Sequence, residues 1–145
     1  MKRINKLESL YDAALEIFAR YGYKKTSVED IASKIGVTKG NIYFYVKNKE
    51  DLYHQSVAYA LRKWKLYVES GIKHEKDHKE KFKLLATLAV EYINNNDNLK
   101  SIIKNDPEIY HELLQIKKNK KANKEKFFEK IGKEIKNEMC LLNKE

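Results

Sequence analysis

The sequence predicts an all-α protein. Glycine and proline are scarce, with five copies and one copy among 145 residues, and the strict alternation of apolar and polar residues that marks exposed strands is absent. Apolar residues instead recur at steps of three and four, the spacing that gives a helix one buried face. We therefore expect a bundle of helices whose ends are marked by the few residues that break or cap helices.

Length and charge limit the classes of function. A chain of 145 residues suits one domain, or a small module joined to a second. Lysine and arginine outnumber aspartate and glutamate by 30 to 21, a balance common in proteins that bind polyanions. No apolar stretch approaches the roughly 20 residues that cross a bilayer, and the single cysteine, Cys140, cannot form an internal disulfide. We expect a cytoplasmic protein with no membrane association.

The first helix is predicted from about Asn5 to Tyr21. Gly22 follows as its C-terminal cap, because glycine adopts the left-handed conformation at little cost. One face carries the apolar residues Leu7, Leu10, Ala14, Leu15, Phe18 and Tyr21.

A short second helix is predicted to begin at Thr26 or Ser27. Each of these residues has an acidic residue three positions later, which is the pattern of a capping box. Gly36 ends this helix in the left-handed conformation, and Val37 is then expected to enter the core.

Thr38 is placed to cap a third short helix, with Ile42 as its inward anchor. Asn48 caps a long fourth helix that continues to Gly71. The inward residues of that long helix are Val57, Leu61, Trp64 and Val68. A fifth helix is predicted over about residues 79–94 and a short sixth around residues 99–103. A seventh begins with Pro107 at its first position, where the missing N–H costs nothing.

A helix, a short helix, a glycine turn, a second short helix and a long helix form the layout of a helix-turn-helix DNA-binding domain. The third helix would then present its N-terminal end to base edges. Asn41 can form two hydrogen bonds to adenine, Lys39 can reach guanine or a phosphate, and Gly40 has no side chain to hold the backbone away from DNA. The candidate DNA-binding set is completed by Thr26, Ser27, Thr38, Tyr43, Tyr45, Lys47 and Lys49, mostly as phosphate contacts.

These residues resemble the signature of the TetR family of bacterial transcriptional repressors. The stretches that carry the resemblance are Ala13–Phe18, Thr26–Ala32, Gly36–Tyr45 and Lys47–Leu52. The resemblance covers about Asn5 to Tyr53. It implies an N-terminal three-helix helix-turn-helix domain over residues 1–48, whose third helix enters the major groove, joined by the long helix to a C-terminal helical domain over residues 49–145.

The resemblance also implies that the C-terminal domain binds a small-molecule effector and forms a homodimer on a palindromic operator. Family members usually have two helices more than the seven predicted here. Either the seventh helix has taken over the dimer interface, or this chain is a shortened form with weaker operator binding. Candidate effector-pocket residues are Trp64, Tyr67, Phe82, Tyr92, Tyr110 and His111. The candidate dimer seam consists of Phe128, Ile131, Ile135 and Met139.

The sequence therefore predicts a sequence-specific DNA-binding regulator whose partner is double-stranded DNA, most simply a ligand-responsive repressor. The alternative is a helical interaction protein that pairs with a longer relative and modulates its dimerisation without itself binding an operator strongly. The pocket aromatics could equally be plain core residues, and Phe44 is expected to be a packing residue.

Enzymatic and metal-binding functions find little support in the sequence. It contains no glycine-rich phosphate loop, no nucleophile elbow and no zinc-protease motif, so we expect neither catalysis nor a cofactor. His74 and His78 are four residues apart, but they lie in a charged connector without a third ligand at regular spacing. We interpret them as a solvated pair and expect no metal site.

Overall fold

The computed structural model describes residues 2–118, and every regular element in that range is an α-helix. The predicted all-α fold class is confirmed. The helices are α1 (Lys2–Tyr21), α2 (Val28–Ile35), α3 (Lys39–Tyr43), α4 (Lys49–Ile72), α5 (His78–Asn94), α6 (Asp97–Asn105) and α7 (Pro107–Lys118). The candidate dimer seam, Phe128, Ile131, Ile135 and Met139, lies outside the described residues.

The helix ends follow the predicted punctuation. Gly22 and Gly36 have φ values of 85° and 71°, so both stop their helices in the left-handed region. Asn48 caps α4, because its side-chain oxygen accepts the backbone N–H of Asp51 at 2.7 Å. Asp77, which the sequence did not predict as a cap, accepts the Lys79 backbone N–H at 2.9 Å at the start of α5.

Val37 departs from the prediction. It was expected in the core, yet 37% of its surface is exposed. The left-handed turn at Gly36 sends the Val37 backbone N–H back to the Ala32 carbonyl at 3.0 Å. This bond closes the end of α2, and the Val37 side chain is left on the outside of the turn.

The chain divides into two compact units. The first takes the chain as far as Leu61 and adds Asp97–Pro107. Its centre contains the fully buried side chains of Phe18, Ile31, Ile42 and Leu52. Within this unit α1 packs against both α2 and α6. The Ser101 hydroxyl of α6 donates to the Ala19 carbonyl of α1 at 3.3 Å.

An aromatic group joins the helices of the first unit. The Tyr53 ring of α4 and the Phe18 ring of α1 form an edge-type pair with centroids 4.9 Å apart. The centroid of the Tyr23 ring lies 5.0 Å from that of Tyr53. The Tyr53 hydroxyl donates to the Asp106 carboxylate at 2.8 Å. The segment that follows α6 is thereby tied to the start of α4, a contact that the sequence did not predict.

The second unit consists of Arg62–Asn96 and the described chain from Glu108 onward. Trp64 is 92% buried, with 8% of its surface exposed, and its indole N–H donates to the Ala89 carbonyl at 3.1 Å. Tyr67 packs on Tyr92 with ring centroids 5.1 Å apart. These contacts fix the C-terminal part of α4 against α5.

The predicted division into a DNA-binding domain over residues 1–48 and an effector-binding domain over residues 49–145 concerns function and stays a prediction. Among residues 2–118, no helix is both long and apolar enough to span a membrane.

Candidate nucleic-acid interface

The start of α2 is fixed by a reciprocal pair of hydrogen bonds. The Asp30 backbone N–H donates to the Ser27 hydroxyl oxygen, and the Ser27 backbone N–H donates to the Asp30 carboxylate, both at 3.1 Å. The bonds from Ser27 lower the pKa of the Asp30 carboxyl. Of the two predicted capping boxes, the one that forms is therefore Ser27 with Asp30.

The start of α3 is fixed in a similar way. Thr38 is the N-cap, and its side-chain oxygen accepts the Asn41 backbone N–H at 3.2 Å. Ile42 is the one buried residue among the five of α3, with 1% of its surface exposed. A single apolar anchor thus holds α3 on the unit, and Lys39, Gly40 and Asn41 are left exposed at its leading end.

The turn after α3 is held by Val46, which is buried, and by the cap of α4. The Lys47 backbone N–H donates to the Asp51 carboxylate at 2.9 Å, so Asp51 is bonded both to the cap residue Asn48 and to the residue before it. The side chains of Tyr43, Tyr45 and Lys47 are exposed around this turn. The structure therefore brings most of the predicted DNA-binding residues together at the exposed ends of α2, α3 and α4.

Thr26 does not fit its predicted place at the surface. Only 3% of it is exposed, and its hydroxyl donates to the Gly22 carbonyl at 2.7 Å. Its backbone N–H donates to the Tyr23 carbonyl at 3.4 Å. Both polar groups that could hold a phosphate are used inside the fold, so Thr26 acts as a support for the turn between α1 and α2.

Lys49 is predicted as a phosphate contact, but its ammonium also bonds within the fold. Its ammonium donates to the Tyr23 carbonyl at 2.8 Å and lies 4.2 Å from the centroid of the Tyr23 ring. Burial and the nearby Glu50 carboxylate raise the pKa of the Tyr23 hydroxyl. The two contacts with Tyr23 hold the Lys49 ammonium beside the turn that precedes α2.

Phe44 contradicts the prediction that it packs inside. It is 81% exposed and touches Tyr45 edge-on, with ring centroids 5.4 Å apart. The reason is helical spacing: Ile42 and Val46 are four residues apart and both point inward. Phe44, midway between them, is carried to the opposite side. An exposed aromatic ring thus belongs to the candidate interface.

Glu29 was also missed as part of this surface. Its carboxylate is ion-paired with the Lys39 ammonium, which also lies 5.7 Å from the centroid of the Tyr43 ring. The hydrogen bond from Lys39 lowers the pKa of Glu29, and the same bond raises the pKa of Lys39. The sequence indicates Glu29 only as the acidic residue three positions after Thr26, in the capping-box pattern.

The candidate effector-pocket residues all belong to the second unit. Trp64 is used in packing against α5, whereas Tyr67 and Phe82 are partly exposed, Tyr92 is half-buried and His111 is exposed. Tyr110 lies in α7. Two of the set, Tyr67 and Tyr92, touch each other. A pocket role for these residues stays a prediction.

The two histidines considered as metal ligands do not share a helix. His74 precedes α5, and His78 is its first residue. Within the described part of the chain, no three side chains of histidine, cysteine, aspartate or glutamate are grouped so that they could hold a metal ion.

Comparison with protein families gives a match that covers the candidate interface. Residues 10–55 match the model described as "Bacterial regulatory proteins, tetR family". Among characterised proteins, the fatty acid metabolism regulator protein of Bacillus subtilis is 33% identical over 94 residues, which are 65% of this chain and 48% of that protein. The chain thus spans about half the length of this relative.

Two solved structures of regulators have a similar fold. The fatty acid degradation regulator FadR of Bacillus halodurans superposes with a TM-score of 0.67 at 25% identity, covering 76% of this chain and 60% of that one. FadR of Bacillus subtilis, solved in complex with stearoyl-CoA, gives 0.64 at 28% identity, covering 74% and 62%.

Proposed function

The chain is a member of the tetR family of bacterial regulatory proteins through its residues 10–55, and from this premise we propose that it is a repressor that recognises a palindromic operator as a homodimer. Its predicted non-enzymatic character agrees with the family. In this proposal it acts on the bacterial chromosome in the cytoplasm. The observation that carries the proposal is the exposed leading end of α3, a helix whose one buried residue is Ile42.

The proposed contacts divide into those that recognise bases and those that hold phosphates. Lys39, Gly40 and Asn41 are exposed at the end of α3 that would enter the major groove, where each base pair shows a distinct pattern of donors and acceptors. Phe44 adds an apolar surface suited to a thymine methyl group. The proposed phosphate contacts are Ser27, Thr38, Tyr43, Tyr45, Lys47 and Lys49.

Asn41→Ala is expected to reduce sequence discrimination. The duplex for the test is selected by the wild-type chain from a random pool, and a scrambled copy of it serves as non-specific DNA. Loss of a bidentate contact to adenine should weaken binding to the selected duplex by about 5- to 150-fold, equivalent to about 1–3 kcal/mol. Binding to the scrambled duplex should hardly change, as fluorescence anisotropy would record.

The control is Asn98→Ala, which alters an exposed asparagine of α6 in the same unit. It should leave both affinities unchanged. If the wild-type chain enriches no sequence, or if Asn41→Ala binds the selected duplex as tightly as wild type does, the proposed recognition by α3 is wrong.

Gly40→Ala is expected to weaken DNA binding without lowering stability. An added Cβ would lie 3.8 Å from the Thr38 hydroxyl oxygen, an ordinary contact, and alanine favours an exposed helix position by up to about 1 kcal/mol over glycine. Thermal unfolding should therefore occur at the same or a higher temperature. The new methyl group would face the bases, so affinity for the selected duplex should fall. Unchanged affinity would show that the backbone does not approach DNA at Gly40.

We further propose that a small molecule bound in the second unit releases the operator. Support comes from the B. subtilis FadR structure, which holds stearoyl-CoA and aligns over 74% of this chain. Stearoyl-CoA is accordingly the first probe to titrate against the complex with the selected duplex. Release by the probe at a fixed salt concentration, without release by free coenzyme A, would support an acyl chain as the recognised group.

The homodimer is the part of the proposal that distinguishes it from the alternative interaction protein. Two DNA-binding heads about 34–36 Å apart are needed for adjacent half-sites. Size-exclusion chromatography with light scattering distinguishes the two functions. A mass of twice 17.2 kDa for the isolated chain supports the repressor, and a monomer that gains mass only beside a longer relative supports the alternative.

A further inference from the structure

Glu29 stands among the residues proposed to contact DNA, although its charge opposes that of the phosphates. It lies in the first turn of α2, and its carboxylate is ion-paired with the ammonium of Lys39, the first residue of α3. The two side chains are 57% and 49% exposed. The pair therefore belongs to the surface that carries Asn41, and it is not a buried support of the fold.

Two neighbours, Glu29 and Tyr43, restrain the Lys39 ammonium. The Glu29 carboxylate accepts from its ammonium, and the Tyr43 ring centroid lies 5.7 Å from the same nitrogen. An ammonium has three N–H donors, so Lys39 can keep its bond to Glu29 and still donate to another acceptor. The nature of that acceptor then depends on what can approach Glu29.

A phosphate and a base edge differ in this respect. A phosphate drawn to Lys39 would also be brought close to the Glu29 carboxylate, and two anions at short range repel each other. Guanine presents two neutral acceptors in the major groove, N7 and O6. Lys39 can donate to these while it remains paired, without bringing a second full negative charge beside Glu29.

On the basis of the proposed function, we propose that Glu29 is a specificity-determining residue that keeps Lys39 off phosphates and directs it to guanine. Glu29 acts through Lys39 and is a positioning residue. Two consequences follow. On non-specific DNA Lys39 neutralises no phosphate, and on the operator it contributes to the choice of one base.

The salt dependence of binding tests the first consequence, because each neutralised phosphate makes the negative slope of log affinity against log salt steeper by about 0.9. The probe is the scrambled duplex. Glu29→Gln should free Lys39 for a phosphate, steepen the slope by about 0.9 and tighten binding at low salt severalfold. Lys39→Gln alone should leave the slope unchanged, and the double variant should return to the wild-type slope.

The selected duplex tests the second consequence. With Glu29→Gln, the ratio of affinities for the selected and scrambled duplexes should fall. Replacing the preferred guanine by 7-deazaguanine, which lacks the N7 acceptor, should weaken the wild-type chain and have little effect on Lys39→Gln. These readouts would not move if Glu29 served only to stabilise α2.

Glu16→Gln is the matched control. It removes the same charge from another exposed pair of the first unit, in which the Lys34 ammonium lies 2.7 Å from the Glu16 carboxylate. Its slope on scrambled DNA should equal that of wild type. The inference is overturned if Glu29→Gln leaves the slope unchanged, if Glu16→Gln steepens it equally, or if Lys39→Gln makes it shallower by about 0.9. A wild-type chain that enriches no duplex overturns the proposed function as well.

Discussion

Ile42→Ala is expected to lower the free energy of unfolding by about 2–5 kcal/mol and to abolish recognition of the selected duplex. Ile42 is 1% exposed and is the one buried side chain of α3, so its truncation removes the contact that holds this helix in place. Urea unfolding followed by circular dichroism would measure the stability. Anisotropy at a temperature where the variant is still folded would measure the binding.

Val37→Ala is the control for this result. It shortens an exposed apolar side chain in the turn between α2 and α3, and surface substitutions of that kind usually change stability by less than about 0.5 kcal/mol. If the two variants unfold at the same urea concentration, the anchoring role of Ile42 is wrong.

Trp64→Ala is expected to be at least as costly, at about 3–5 kcal/mol. Trp64 of α4 is almost fully buried, and its indole N–H donates to the Ala89 carbonyl of α5. Trp64→Phe keeps most of the apolar contact and loses the hydrogen bond, so it should cost less, with about 0.5–1.5 kcal/mol for that bond.

Leu66→Ala serves as the comparison, because Leu66 lies on the same helix with its side chain exposed. It should change stability little. Thermal unfolding followed by circular dichroism suits this series, since the chain has only one tryptophan and fluorescence would be lost with it. A Trp64→Ala protein as stable as Leu66→Ala would show that Trp64 is not a core residue.

Local signals explain why the helices could be predicted. Caps and left-handed glycines act within four residues of the helix end that they fix, as Ser27 and Gly36 do for α2. The inward position of Ile42 follows from the cap at Thr38, which fixes where α3 begins. The helix has only five residues, so it offers a single inward position. These features need no knowledge of the rest of the fold.

Contacts between distant parts of the chain could not be predicted in the same way. Nothing near Ser101 or Asp106 in the sequence indicates that they bond to Ala19 and Tyr53. The packing of α6 on α1 depends on contacts between residues far apart in the sequence. The sequence therefore predicts helix α6 but not the helix against which it packs.

Errors within the candidate site have a common cause. Thr26 is predicted as a helix cap that also contacts a phosphate, and Phe44 as a packing residue, both from local sequence alone. In the structure Thr26 is buried, because it closes the turn after α1, and Phe44 is exposed, because it falls between two inward residues. Glu29 was missed because its partner, Lys39, lies on another helix.

The single anchor of α3 has a consequence for how such a protein changes over generations. Four of the five positions in this helix lie outside the core, so their side chains can be exchanged without repacking the interior. A library randomised at Lys39, Asn41 and Tyr43, with Ile42 kept, should yield mostly folded chains. New operator preferences could then arise by a few substitutions while the scaffold stays intact.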